Sequence, residues 1–108
     1  MGEAPALVIP CIQGRIPEGA PHGMAAAIYG SIYPAMWSFQ LALRSRGLGS
    51  ALTTISLFFE KDVADVLDIP DDIMQVALLP VGYTKGTDFK IAARPAAEEI
   101  THFDRWGD

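Results

Sequence analysis

Residues 31–46, SIYPAMWSFQLALRSR, form a helical pattern with more apolar surface than one buried face can use. Ile32, Met36, Phe39 and Leu43 recur at helical spacing and make one stripe. Ala35 and Ala42 are small enough for close packing beside it, and Trp37 and Leu41 widen it. Such a helix is expected to be buried on more than one side. Ser31 is placed to cap its start. Pro34 then falls in the first turn, where amides lack helical partners. Arg44 and Arg46 suit the negative end of the helix dipole. Gly47 stands where a left-handed cap is wanted, and Leu48 can fold back onto the helix.

The flanking segments read as strands and short helices. Residues 6–12, ALVIPCI, form a buried strand with Pro10 near its end. Residues 13–30 are dense in glycine and proline and read as a long loop. Residues 52–59 are β-branched and apolar, extended at first, and residues 60–67 are helical with Val63, Val66 and Leu67 on one face. Ile69-Pro70 ends that helix, and Asp71 and Asp72 follow as solvated turn residues. Residues 75–81, QVALLPV, form a second buried strand. Residues 84–89 form a polar loop, residues 95–105 have helical potential, and Trp106 precedes a short acidic end.

With 108 residues the chain is at most one domain. Its hydrophobic content of 50% and mean hydropathy of +0.23 suit either a compact core or an apolar surface that meets another chain. The formal net charge is −5 and no basic cluster is present, so electrostatic binding to nucleic acid is not expected. The apolar runs break before about 18 residues, so no transmembrane helix is expected. The start, MGEAPALVIP, lacks the positive charge of a signal peptide and enters a strand-like run at once, as the middle of a domain would. The single cysteine, Cys11, reads as a buried strand residue, consistent with a reducing cytoplasm.

Familiar catalytic motifs are missing. There is no phosphate loop of Walker type, no metal-spaced His/Cys set and no nucleophile elbow. His22 and His102 read as surface residues with no nucleophile beside them. The segment RGLGSALTTISL, residues 46–57, is different. A Gly-x-Gly stretch permits close approach of another group. The hydroxyls of Thr53 and Thr54 could bond a planar heterocycle. Taken alone, capping explains Gly47 and strand propensity explains the threonines.

The order of the motifs adds to this. A long apolar helix ends in GLGS and is followed by ALTTISL; then come a short helix, DIPDD, a strand ending LLPVGY and, after a loop, ARPAAEEITHFDRW. This series resembles the C-terminal half of the FMN-dependent nitroreductase family and is similar to its iodotyrosine deiodinase branch. The resemblance implies an α+β fold, a mixed sheet flanked by helices, of which residues 1–108 would be the C-terminal portion. It implies a homodimer with FMN in the interface and the long helix packed there. It places Thr54 at flavin N5, where a hydroxyl or amide biases one-electron against hydride chemistry, with Thr53 and Leu52 adjacent. It gives the FMN phosphate to a basic residue before the late proline, here Arg94, although the family's arginine often stands one place earlier, at Ala93 in this chain.

The implied activity is electron transfer from NAD(P)H through FMN to a nitro, quinone or halogenated aromatic. No catalytic residue is carried over, and loop 13–30 would lie near the substrate opening. The family's domain is about twice this length and its N-terminal half supplies an arginine-rich phosphate grip that is not here. Two other readings stay open: a non-catalytic dimerisation or partner-binding fragment of the same fold, and an unrelated small α+β domain.

Overall fold

A computed structural model describes residues 2–86 and 88–107; position 87 of the expected polar loop and Asp108 of the acidic end lie outside the described residues. The chain runs β1 (Ala6–Val8), β2 (Cys11–Gln13), α1 (His22–Ser45), β3 (Leu48–Ser50), a 3-10 turn (Ile55–Phe59), α2 (Glu60–Leu67), β4 (Ile73–Gln75), β5 (Leu79–Tyr83) and a second 3-10 turn (Ala97–Ile100). The fold is α+β as expected, and the described strands pair antiparallel in two small sheets, β1-β5-β3 and β2-β4.

Each of the two expected strands is in fact two. Residues 6–12 break at Ile9-Pro10 and step from the first sheet to the second. Residues 75–81 make the same step in reverse between Gln75 and Leu79. Pro10 cannot donate to a ladder, but its carbonyl accepts from the Val76 amide at 3.0 Å, which holds the two crossing points together. Pro80 is tolerated inside β5 because β3 stops opposite Val81 and asks no amide of it.

Helix α1 begins at His22, not Ser31. The run Met24–Ala27 is rich in alanine, and that propensity outweighs Gly23 and Gly30. Loop 13–30 therefore shrinks to residues 15–21. Ser31 caps nothing; its hydroxyl donates to the Ile28 carbonyl at 2.6 Å, one turn back. Pro34 lies in the helix interior, where it forfeits a bond to the Gly30 carbonyl. Core packing on both sides of it offsets that loss: Met36 is buried, and the Tyr33 hydroxyl donates to the Val76 carbonyl at 3.1 Å. Only one side of α1 is covered. Trp37 is 62% exposed and Leu41 51%, so the second buried side is absent within this chain.

The helix stop is as expected. Gly47 has φ of +77°, and the amides of Arg46 and Gly47 donate to the carbonyls of Leu43 and Arg44. The strand then starts at once. Leu48 pairs with Tyr83 instead of folding back, and β3 occupies residues 48–50 rather than 52–59. Beyond it, residue 53 makes a single bridge and residues 55–59 turn into 3-10 geometry. Helix α2 has the expected bounds and ends on Asp68, φ +56°, with the Ile69 amide on the Ala64 carbonyl. Residues 95–105 form no helix beyond the turn at Ala97–Ile100. Ile100 and Phe103 are 65% and 74% exposed, so no packing supports a longer one.

The core is small. Met36, Met74, Val76, Ala77 and Leu79 are buried, with Ile12, Ile28, Tyr29 and Ile32 packed around them. Cys11 lies in β2 as a strand residue but is exposed, because the core side of that strand is carried by Ile12.

Candidate functional site

The segment after β3 is held by one residue. Thr53 spends all of its polar groups on Leu78: its amide donates to the Leu78 carbonyl at 3.1 Å, its carbonyl accepts the Leu78 amide at 2.8 Å, and its hydroxyl donates to the same Leu78 carbonyl at 2.6 Å. Leu78 adjoins Ala77 and Leu79, which have no exposed surface. Thr53 is thus the anchor of this segment on the most buried stretch of the chain.

Thr54 is in a different position. Its carbonyl accepts the Leu57 amide at 3.0 Å and opens the 3-10 turn. Its hydroxyl has no partner among the described residues, and Thr54 lines a shallow hollow of about 270 Å³ with Leu57 and Phe58. Phe58 is 84% exposed beside it. An unclaimed hydroxyl next to two apolar side chains can meet the edge of a flat, partly polar ring. The two threonines that look equivalent in the sequence therefore differ: one pins, the other is available. Leu52 is partly exposed on the near side of the same segment.

Both glycines of GLGS have work within the fold. Gly47 supplies the left-handed cap. A Cβ on Gly49 would stand 2.6 Å from the Thr84 methyl, so β3 can carry only glycine there while Thr84 keeps its place. The close approach that Gly-x-Gly permits is taken up at Gly49 by Thr84 of the same chain.

Arg94 lies in the exposed segment after β5, and its guanidinium donates to the neighbouring Ala93 carbonyl at 3.1 Å. No hydrogen bond or ion pair among the described residues joins it to residues 52–54. A larger cavity, about 500 Å³, opens between α1, β3 and Phe89, with Trp37, Gln40, Leu41 and Arg44 in its wall. It is away from Thr54, and its exposed apolar wall belongs to the uncovered side of α1. Thr84, whose buried Oγ1 has no hydrogen-bond partner among the described residues, also lines that cavity. We take the hollow at Thr54 as the candidate site because it lies on the threonine segment that the family resemblance singles out.

Sequence reading passed over a cluster behind this site. Glu60, the first residue of α2, accepts from the Gln75 amide at 3.0 Å and from Arg15 at 3.1 Å through one carboxylate oxygen. The Gln75 side chain donates back to the Glu60 carbonyl at 3.0 Å. The signal was Gln75 itself, the polar residue of QVALLPV: only 4% exposed, it must be paired. Cys11 stands opposite Gln75 in the ladder. Partial burial, and then the Glu60 carboxylate, push its thiol pKa up. His22 opens α1, and His102 packs on Trp106 with ring centroids 4.5 Å apart; neither meets residues 52–54.

The nitroreductase family model matches residues 1–83 of the chain. A solved structure of similar fold is a BluB-like flavoprotein from Clostridium difficile 630, with TM-score 0.68 and 21% identity. The alignment covers 95% of this chain and 55% of that one, so the chain spans about half the length of that protein. The search of curated proteins returned no match. Among the described residues no helix is long and apolar enough to cross a membrane.

Proposed function

We propose a flavin-holding role for this chain, which belongs to the nitroreductase family: it supplies the ring-side contacts of an FMN-dependent oxidoreductase as the C-terminal portion of that fold. The observation that carries the reading is the free Thr54 hydroxyl over the hollow lined by Leu57 and Phe58. The residues present fit the ring of FMN. They fit its phosphate only through Arg94, which is exposed and able to turn from Ala93 to an anion.

When bound, FMN supplies the transfer of electrons from NAD(P)H to a nitro, quinone or halogenated aromatic acceptor. The chain's own residues place and shield it. Thr54 offers a hydrogen bond at the ring edge near N5. Thr53 holds Thr54 in register through Leu78. Leu52, Leu57 and Phe58 exclude water from that edge. Arg94 takes the phosphate, with a charge-assisted bond that contributes roughly 1.5–3 kcal/mol. The test is the visible spectrum of the purified chain before and after FMN is added. A flavin band that stays with the protein through gel filtration supports the reading; a colourless protein that leaves FMN fluorescence unchanged refutes it.

A second reading, a partner-binding module without flavin, is favoured by one observation. The chain exposes 8502 Å², against roughly 5,800 Å² for a compact monomer of this mass. Its radius of gyration is 17.4 Å, against about 13 Å expected. The excess exceeds the roughly 800 Å² that each partner buries in a standard interface. The uncovered α1 face, with Trp37 and Leu41, is the part we assign to a homodimer contact. Bound flavin separates the two readings.

A further inference from the structure

The stretch between Thr53 and Glu60 is a bracket fixed at both ends. At one end Thr53 is bonded to Leu78. At the other, Glu60 is bonded to Gln75, main chain to side chain in both directions. Both anchors lie on the segment that contains Val76 and Ala77, which have no exposed surface. Between them run Thr54 and the 3-10 turn Ile55–Phe59, too short to absorb a displaced end.

Arg15 ties the second anchor down. Its guanidinium reaches both Glu60 oxygens, at 3.1 and 3.4 Å. It also donates to the main-chain carbonyls of Asp71 and Ile73, at the turn that enters β4. One side chain therefore joins the start of α2, the turn before β4 and the end of β2. The Arg15–Glu60 pair is only partly exposed, 45% and 23%, and bidentate, which distinguishes it from a loose surface ion pair.

We propose that Glu60, with Arg15 and Gln75, is a positioning cluster that holds the Thr54 hydroxyl in place for the flavin. The inference rests on the flavin reading above. Glu60 touches neither substrate nor flavin; it acts by fixing the far end of the segment whose near end carries Thr54. Removing its side chain breaks the bonds from the Gln75 amide and from Arg15 and leaves only the Gln75 side chain on the residue-60 carbonyl. The 3-10 turn then loosens, Leu57 and Phe58 shift at the hollow, and the Thr54 hydroxyl loses its bearing on the ring.

The experiment compares the wild-type chain with Glu60→Ala and Glu60→Gln, using FMN as the probe. Three quantities are read: the FMN dissociation constant from fluorescence, the reduction potential of the bound flavin, and amide exchange at residues 53, 57 and 78. Glu60→Ala should weaken FMN binding by about tenfold, shift the potential and speed exchange at those amides more than in the β1–β5 ladder. Glu60→Gln keeps an acceptor for the Gln75 amide and should fall between the two. Should Glu60→Ala fail to fold, the Glu60→Gln and Arg15→Met chains carry the same comparison. If the wild-type chain binds FMN and the variants lose thermal stability with dissociation constant and potential unchanged, the cluster is structural only and the proposal is overturned while the flavin reading stands. If the wild-type chain binds no FMN, the flavin reading falls and the positioning role falls with it.

Discussion

Replacing Thr53 and Thr54 one at a time by valine tests the division of labour between them. Valine keeps the β-branched shape and removes only the hydroxyl. In Thr53→Val the lost bond is the 2.6 Å contact to the Leu78 carbonyl. That carbonyl still accepts the Thr53 amide at 3.1 Å, so it is not orphaned. The loss is then the net value of one hydrogen bond, about 1 kcal/mol, rather than a full desolvation penalty. For a domain of about this size that lowers Tm by roughly 4–8 °C. The denaturant slope should not change, because the surface exposed on unfolding is the same. In Thr54→Val no internal bond is lost, and stability should stay within about 0.5 kcal/mol of wild type. With FMN bound the order reverses: Thr54→Val should shift the reduction potential more than Thr53→Val does. Urea unfolding followed by circular dichroism, with a flavin potential titration alongside, reads both. Equal destabilisation by the two variants, or a larger loss from Thr54→Val, would refute the assignment of Thr53 as anchor and Thr54 as the available group.

Gly49→Ala should destabilise by about 1–3 kcal/mol through the clash with Thr84, and adding Thr84→Ser, which removes the offending methyl, should recover most of it in urea unfolding. Cys11 is exposed but its thiol pKa is raised, so its alkylation by iodoacetamide should be slower at neutral pH than that of an ordinary cysteine and should rise with a pH profile displaced upward. Glu60→Gln removes one of the two causes and should move that profile partly back. Leu41→Asp on the uncovered side of α1 should weaken self-association by at least about tenfold in sedimentation velocity, with the fold kept by circular dichroism.

Local chemistry was readable wherever one residue type forces one conformation. Gly47 required a left-handed cap, and the helix stops there. Ile69-Pro70 closed α2, whose bounds the structure reproduces. What escaped was set by contacts distant in the chain. Pro10 marks a strand end in the sequence, but the division of residues 6–12 and 75–81 between two sheets follows from their crossing, through the Pro10 carbonyl and the Val76 amide. The start of α1 was missed because glycines at 23 and 30 outweighed the alanines in a local reading, whereas Ile28, Tyr29 and Ile32 pack on the core and hold the first turns helical. The local residue pattern does not separate the two threonines; the resemblance singles out Thr54, and the position of Leu78, which takes up the Thr53 hydroxyl, supplies the physical difference between them.

The small core and the excess surface bear on the two readings of function together. Among the described residues, Leu79 and Val76 are the larger side chains that are wholly buried, so much of the stability has to come from whatever covers the exposed apolar groups. FMN and a second copy would cover different ones: Leu57 and Phe58 at the Thr54 hollow, Trp37 and Leu41 on α1. Each would raise the melting temperature by mass action, and each by a different variable. A ligand held at a hundred times its Kd adds about 2.7 kcal/mol, a large share of the stability of a small domain. A second copy makes the melting temperature climb with protein concentration instead. Melting curves over a grid of FMN and protein concentrations therefore separate the contributions. A rise with FMN at fixed protein concentration, cut to about half by the tenfold weaker binding of Glu60→Ala and kept in Leu41→Asp, places the flavin on the Thr54 side. A rise with protein concentration alone leaves only the partner-binding role.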